Sequence, residues 1–376
     1  MAGVYIHVPF CQSRCAYCDF YSTTLLVHRA AYVDSVCREL RFRLSELDGE
    51  TIETIYFGGG TPSVLSIKEV RKIAETILRH PSLDIQLEEF TIEANPDDLT
   101  EAYVEGLLAL PVNRVSIGIQ SFHDHTLRLI GRRHTAAEAM DAVQRLQRHG
   151  LTNISIDLIY GLPGETLDDW VHSLNQAVAL GVKHISAYHL SYEEGTRLWQ
   201  MLDQGVIIPV DEEQSVRSFE LSREKLIAAG YEHYEISNFA LPGFHSRHNS
   251  SYWQDVPYIG IGPGAHSYNR NCRRWNLCNL SNYIATPDNT DVPHEVECLT
   301  IDDRYNERII TELRTAHGIS LTRLSTDLGE YYHAHCLRAA EPYIHRGQLI
   351  RTSDNRLRLT PESMFVSDAI MRDLLY

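Results

Sequence analysis

Three cysteines stand within eight residues near the start of the chain: Cys11, Cys15 and Cys18 in YIHVPFCQSRCAYCDFYS, spaced C-x3-C-x2-C. Thiolates this close bind zinc or an iron–sulfur cluster, and the number of ligands separates the two. Structural zinc takes four protein ligands. No further Cys or His lies at finger spacing, and borrowing His7 or His28 would make an unusual zinc site. A cubane [4Fe–4S] cluster held by three cysteines leaves one iron without a protein ligand. That iron offers a coordination site to a molecule carrying both an amine and a carboxylate, as S-adenosylmethionine (SAM) does. One electron from such a cluster can cleave SAM to a radical. Tyr5, Phe10, Tyr17 and Phe20 flank the cysteines and would keep a cluster dry.

The other five cysteines, Cys37, Cys272, Cys278, Cys298 and Cys336, are scattered. Cys37 shares an apolar helix face with Val33, Val36 and Leu40 and reads as core packing. Cys272 and Cys278 match no common metal spacing and read as free thiols. The chain opens without a basic leader, so the expectation is a cytoplasmic protein and no disulfide framework. Its 376 residues suggest two or three folding units. A hydrophobic share of 43% with 22% charged residues fits a globular chain without a membrane span. Lys and Arg total 34 against 50 Asp and Glu, and the net charge of −16 argues against general nucleic-acid binding.

The elements that must position the cysteines repeat as βα units. Strands are expected near Val4–Val8, Thr54–Phe57, Phe90–Glu93, Arg114–Ile119, Ser155–Ile159 and His184–His189, with a possible seventh at Glu232–Ile236. Helices are expected at Ala30–Leu47, Lys68–Arg79, Glu101–Ala109, Ala136–His149, Leu167–Leu180 and Glu212–Ala229. Ser66 with Glu69, Thr135 with Glu138 and Thr166 with Asp169 mark helix starts, because their side chains can satisfy free N–H groups. Gly150, Gly181 and Gly230 mark stops. Six such units give an α/β fold, an incomplete (β/α)6 barrel with right-handed crossovers, over residues 1–240. Chemistry in parallel barrels gathers at the C-terminal strand ends. Here those ends carry the cysteine loop, Gly58-Gly59-Gly60-Thr61, Glu93, Gln120 and Asp157. Residues 241–295, rich in Pro, Gly, Asn and Tyr, read as an irregular connecting segment. In 296–376, helices precede two β-like runs around Asp354-Asn355, the pattern of a winged-helix-like α+β domain. That domain carries 10 Arg against 13 Asp and Glu over 295–376, which does not favour DNA reading.

The cysteine motif, the glycine motif and the six-fold repeat resemble the radical SAM superfamily. YIHVPFC…CDFYS with FGGGTP, IEANPD, VSIGIQSF, GRRH, DLIYGLPGET and HNSSYW…GIGPGAHS is similar to a narrower group. That group comprises the oxygen-independent coproporphyrinogen III oxidases and their haem-chaperone relatives, and the similarity spans essentially the whole chain. It implies that Tyr5, Tyr17, Gly59, Gly60, Thr61, Glu93, Gln120, Arg132 and Asp157 contact SAM, at one site or, as in relatives that bind two SAM molecules, at two. It also implies haem binding through HNSSYW, with His248 as iron ligand and His245 and His266 as rivals. The oxidases carry an additional cysteine two residues after the third, where this chain has Phe20. The resemblance thus implies a cytosolic protein that binds haem and delivers it to an acceptor protein, with no nucleic acid involved. An electron donor is needed if SAM is cleaved. The enzyme alternative is a radical SAM reaction on a porphyrin, either oxidase-like or haem-modifying.

Overall fold

The computed structural model describes residues 1–47, 49–81 and 83–376. Six parallel strands form its centre: β1 Ala2–Val8, β2 Thr51–Gly59, β3 Asp84–Ala94, β4 Arg114–Gln120, β5 Ile154–Tyr160 and β6 His184–His189. They pair in sequence order, each crossing to the next through helical structure, as the repeat predicts. The capping boxes at Ser66, Thr135 and Thr166 all form, and Gly150, Gly181 and Gly230 all take positive φ.

Parity along the strands sorts their side chains. Val4, Ile6 and Val8, then Ile55 and Phe57, Phe90 and Ile92, Val115 and Ile117, and Ile156 and Leu158 are buried in one hydrophobic core with the helices. Alternate residues point the other way: Tyr5 and His7, Thr54 and Tyr56, Glu89 and Glu93, Arg114 and Ser116, Ser155 and Asp157, His184 and Ser186. These polar and aromatic side chains meet one another across the inner face. One face is therefore oily and the other chemical.

The sheet extends at both edges. The seventh strand expected at Glu232–Ile236 is instead two short antiparallel strands, β7 Glu232–His233 and β8 Asn238–Ala240, the latter pairing with β6. The segment expected to be irregular, 241–295, holds three strands, β9 Tyr258–Ile261, β10 His266–Tyr268 and β11 Cys272–Asn276, and the start of a fourth, β12 His294–Cys298. β9 runs parallel to β1, and the next three continue outward antiparallel, giving a twelve-stranded sheet. Strands of three to five residues are too short to display a period, so sequence alone reads them as loop.

The C-terminal part has the expected helix-then-hairpin form. Helices Ile301–Leu313, Leu321–Leu328 and Glu330–His345 precede β14 Leu349–Arg351 and β15 Arg356–Leu359, which join β13 Ile319–Ser320 in a second sheet. Asn355 turns the hairpin at φ 59°. Two backbone bonds tie this part to the first, Ala316 N–H to Tyr234 O (2.9 Å) and Ile236 N–H to Arg314 O (3.1 Å). Among the described residues no helix is long and apolar enough to cross a membrane.

Candidate functional site

The cysteine loop follows β1 and is anchored mainly by backbone bonds. Cys11 N–H donates to Thr23 O (2.9 Å) and Thr23 N–H to Pro9 O (2.6 Å). Ala16 N–H reaches Ile130 O (2.8 Å), while Ala16 O accepts from Leu198 N–H (2.7 Å). His7 Nε2 contacts Tyr21 O at 3.0 Å. The loop is thus clamped from β1, from the loop after β4 and from the helix Arg197–Asp203.

Each sulfur has its own surroundings. Cys11 is buried and accepts from the Thr61 hydroxyl (3.4 Å), and burial pushes its thiol pKa up. Arg132 Nη1 donates to Cys15 Sγ at 3.2 Å. Burial pushes Cys18 up to about 11. Ligation requires thiolates, and the Arg132 charge works against burial at Cys11. Among the described residues no three His, Cys, Asp or Glu converge on a point that one metal ion could share.

Cys15 and Cys18 face a cavity of about 500 Å³ over the C-terminal strand ends. Tyr17, Phe20, Gly59, Gly60, Thr61, Glu93, Gln120, Arg132 and Asp157 line the same cavity. Two glycines make its wall possible. A Cβ on Gly60 would lie 2.9 Å from both Val8 O and Phe10 O. One on Gly59, which sits at φ +106°, would lie 2.7 Å from the His7 ring. Glu93 accepts from the Tyr56 hydroxyl (2.7 Å), yet burial pushes its pKa up to about 7. Burial likewise raises Asp157, which lies 3.5 Å from the Ser116 hydroxyl. Gln120 takes φ 72°, where the β4–β5 register slips. Such a conformation in a non-glycine residue costs energy and aims the side chain away from the ladder.

Arg132 and its neighbour Arg133 separate cleanly. Arg132 reaches inward to Cys15 Sγ, Asn95 Oδ1 (2.6 Å) and Gly118 O (2.5 Å), and its buried Nε has no partner among the described residues. Arg133 pairs with Asp97 (2.7 Å) and Asp98 (3.1 Å) on the outside. Sequence reasoning missed Asn95, Ser116, Tyr188 and His189 in this cavity. The inward parity of β4 and β6 was the available signal for Ser116 and Tyr188.

Tyr5 and His248 lie elsewhere. Tyr5 forms one aromatic cluster with Tyr56 (6.0 Å between centroids) and His248 (6.3 Å), which also stack on each other (5.0 Å), and its hydroxyl meets His7 Nδ1 at 3.2 Å. His248 belongs to the short helix Arg247–Tyr252, lodged against the N-terminal halves of β1 and β2. It is fully buried, with Nδ1 on Thr54 Oγ1 (2.8 Å) and Nε2 on the Tyr252 hydroxyl (2.9 Å). Burial pulls its pKa down to about 3, so the ring is neutral. Of its rivals, His245 pairs with Glu232 (2.8 Å), and His266 is exposed and stacks on Trp275 (6.0 Å).

Residues 5–177 match the model of the radical SAM superfamily and residues 299–366 that of the HemN C-terminal domain. The superfamily implies a [4Fe–4S] cluster and SAM. Three thiols on one clamped loop, a wall of two glycines pressed too close to β1 and the cysteine loop to carry a Cβ, and an unpartnered Arg132 Nε fit those groups. The structure of coproporphyrinogen III oxidase (HemN) from Escherichia coli has the same fold, with a TM-score of 0.84 at 20% identity over 99% of this chain and 89% of that one. The chain is 38% identical over 319 residues to a protein named heme chaperone HemW of Lactococcus lactis subsp. lactis, covering 84% of this chain and 82% of that one. A Bacillus subtilis protein of the same name is 32% identical over 98% of both chains. The Mycobacterium tuberculosis protein so named is 35% identical over 99% of this chain and 94% of its own. This chain belongs to the HemW family of radical SAM proteins.

Proposed function

We propose that this protein binds haem and delivers it to an acceptor protein in the cytoplasm, as a haem chaperone carrying a [4Fe–4S] cluster and SAM. The observation that carries the reading is Phe20. It lines the cluster-side cavity and is 62% exposed, where the oxidases place a further thiol. The whole-length relatives named heme chaperone support the same reading.

Cys11, Cys15 and Cys18 hold the cluster, which when bound supplies one-electron reduction and an open iron position. Tyr5, Tyr17, Gly59, Gly60, Thr61, Glu93, Gln120, Arg132 and Asp157 bind SAM or support its site. Glu93 keeps its proton below about pH 7 and, once ionised, accepts hydrogen bonds from an ammonium group. Asp157 and Gln120 accept from amine or hydroxyl groups, and Arg132 attracts a carboxylate while steadying Cys15.

His248 is the proposed ligand of haem iron, the neutral ring being the form that ligates. Its Nε2 is held by Tyr252, which also lines a cavity of about 260 Å³ with Trp253, Tyr258, Tyr268, Arg273 and Arg304. Flat aromatic walls suit a porphyrin and arginines suit its carboxylates. That volume is below the roughly 300–1,000 Å³ of ligand sites, so Tyr252 must swing aside, which also frees Nε2.

The test is to incubate reconstituted protein with haem, coproporphyrinogen, SAM and reductant, analyse tetrapyrroles by mass spectrometry, and add an apo-haem acceptor. Unchanged haem that moves to the acceptor is the expected result; any new tetrapyrrole product overturns the reading. His248→Ala should weaken haem binding and shift its Soret band, with His245→Ala and His266→Ala unaffected. Loss of binding in either control instead relocates the ligand.

A further inference from the structure

Cys272 and Cys298 are far apart in sequence, yet β11 and β12 set them directly opposite each other. Their sulfurs lie 3.0 Å apart, with the Cys272 thiol directed at Cys298 Sγ. We propose that these two residues form a reversible disulfide that fastens the outermost strand of the sheet next to the C-terminal part.

The backbone is already placed for the bond. Directly paired antiparallel residues have Cα separations of roughly 4.5–5.5 Å, inside the roughly 4.4–6.8 Å that disulfides span. The sulfurs need only close from 3.0 Å to about 2.05 Å. Both strand ends are tied: Asn269 Oδ1 accepts from Cys272 N–H (2.7 Å), and Leu299 N–H donates to Asn271 O (2.8 Å). The neighbouring pair in the ladder joins Arg273 with Glu297, and Trp275 Nε1 donates to Glu295 Oε2 (3.0 Å). Cys298 is exposed and Cys272 half-buried, so a reagent reaches Cys298 first.

The chemistry needs an oxidant, and a low-molecular-weight disulfide of the glutathione type suffices. The Cys298 thiolate attacks one sulfur of that disulfide, its S–S bond breaks, and one reagent thiol leaves as a mixed disulfide forms. Cys272, giving up its proton, attacks Cys298 Sγ and expels the second reagent thiol. Two protein thiols are oxidised and one reagent disulfide is reduced to two thiols. An exposed disulfide of this kind is readily reduced again.

The bond would staple β12 to β11 just before the helix Ile301–Leu313, whose Arg304, Glu307 and Arg308 line the aromatic cavity. It would also close the segment between the two cysteines, whose helix Leu280–Ala285 donates a hydrogen bond from Leu280 N–H to the Tyr21 hydroxyl of the cysteine loop (2.7 Å). Thiol redox state would then act on both cavities from a single edge.

The full chain, kept anaerobic and incubated with glutathione disulfide, should lose two alkylatable thiols. Digestion without reduction should yield one peptide linking Cys272 to Cys298, and reduced glutathione should reverse the bond. Cys278→Ser should behave as the parent, and Cys298→Ser should retain the Cys272 thiol. A glutathione adduct resting on Cys298 without a crosslink, a link to Cys278, or a link between chains overturns the proposal. Mapping on the unmodified sequence settles the matter even if a variant fails to fold.

Discussion

The two ends of the inner face are built from the same strands in the same parity and put to opposite uses. At the N-terminal end most charged or polar strand residues meet a protein partner, the buried Thr91 hydroxyl being an exception among the described residues. Thr54 holds His248 Nδ1, and Glu89 accepts the N–H groups of Arg247 (2.9 Å) and His248 (3.0 Å). His184 bridges Ser155 and Tyr234, each at 2.7 Å, and Arg114 donates to Asn153 Oδ1 (3.1 Å) and Phe244 O (3.2 Å). At the C-terminal end the corresponding side chains line an open cavity. Arg132 Nε lacks a partner there, Gln120 is strained and Glu93 holds its proton near neutrality. Satisfied polar groups rigidify a fold, whereas unsatisfied or strained ones, each costing free energy, mark where a ligand acts. The N-terminal end is a plug closed by protein partners, so the proposed ligand His248 is freed only when Tyr252 leaves its Nε2, whereas the mouth lies open as it stands.

The largest expected effect breaks the mouth alone. After anaerobic reconstitution the protein should hold about four irons and four sulfides per chain. Cys11→Ala, Cys15→Ala or Cys18→Ala should abolish that content, measured as iron and acid-labile sulfide, while Cys37→Ala leaves it whole. Zinc in stoichiometric amount in place of iron refutes the assignment.

Breaking the plug should do the reverse. His248→Ala strands the Thr54 and Tyr252 hydroxyls and opens a cavity in a fully buried position. Chemical denaturation should show a loss of about 2–4 kcal/mol with cluster content unchanged. If cluster content falls in a variant that remains folded, the two ends are not independent.

Glu93 sharpens the comparison through pH. Its folded pKa of about 7 lies above the ordinary 4.5, so the folded state binds a proton that the unfolded state has released. Its contribution is complete below pH 4.5, falls as pH rises to about 7, and is level above. Glu93→Gln should remove this fall, leaving the variant about 2–3 kcal/mol more stable than the parent at pH 8 relative to pH 4.5. Parallel stability curves for the two proteins across that range would contradict the assignment.

The smallest effect tests strain. Gln120→Gly removes a side chain from φ 72° and should raise stability by about 0.5–1 kcal/mol while weakening SAM binding. A loss of stability would mean that the amide makes contacts worth more than the strain.

Much of the mouth was legible before any coordinates. Nine of the residues named from strand ends and motifs, together with Cys15 and Cys18, line one cavity, Tyr17 and Phe20 among them. Strand-end position and loop spacing are local properties, and parallel topology converts them into proximity. Tyr5 and His248 are different. Whether a histidine in HNSSYW faces solvent or fills the floor depends on which strands the short helix Arg247–Tyr252 rests against, and no local pattern encodes that.

The sequence by itself determined the three-thiol loop, the helix starts at Ser66, Thr135 and Thr166, the glycine stops and the α/β repeat. Each of these is settled within a few residues, by side-chain-to-backbone bonds or by the two-residue period of a strand. Only the tertiary structure decided the short strands β9 to β12, the burial of His248 and the meeting of Cys272 with Cys298. Those depend on register between segments that share no local signal. A shift of one residue in β12 would turn Cys298 to the opposite face and separate the two sulfurs.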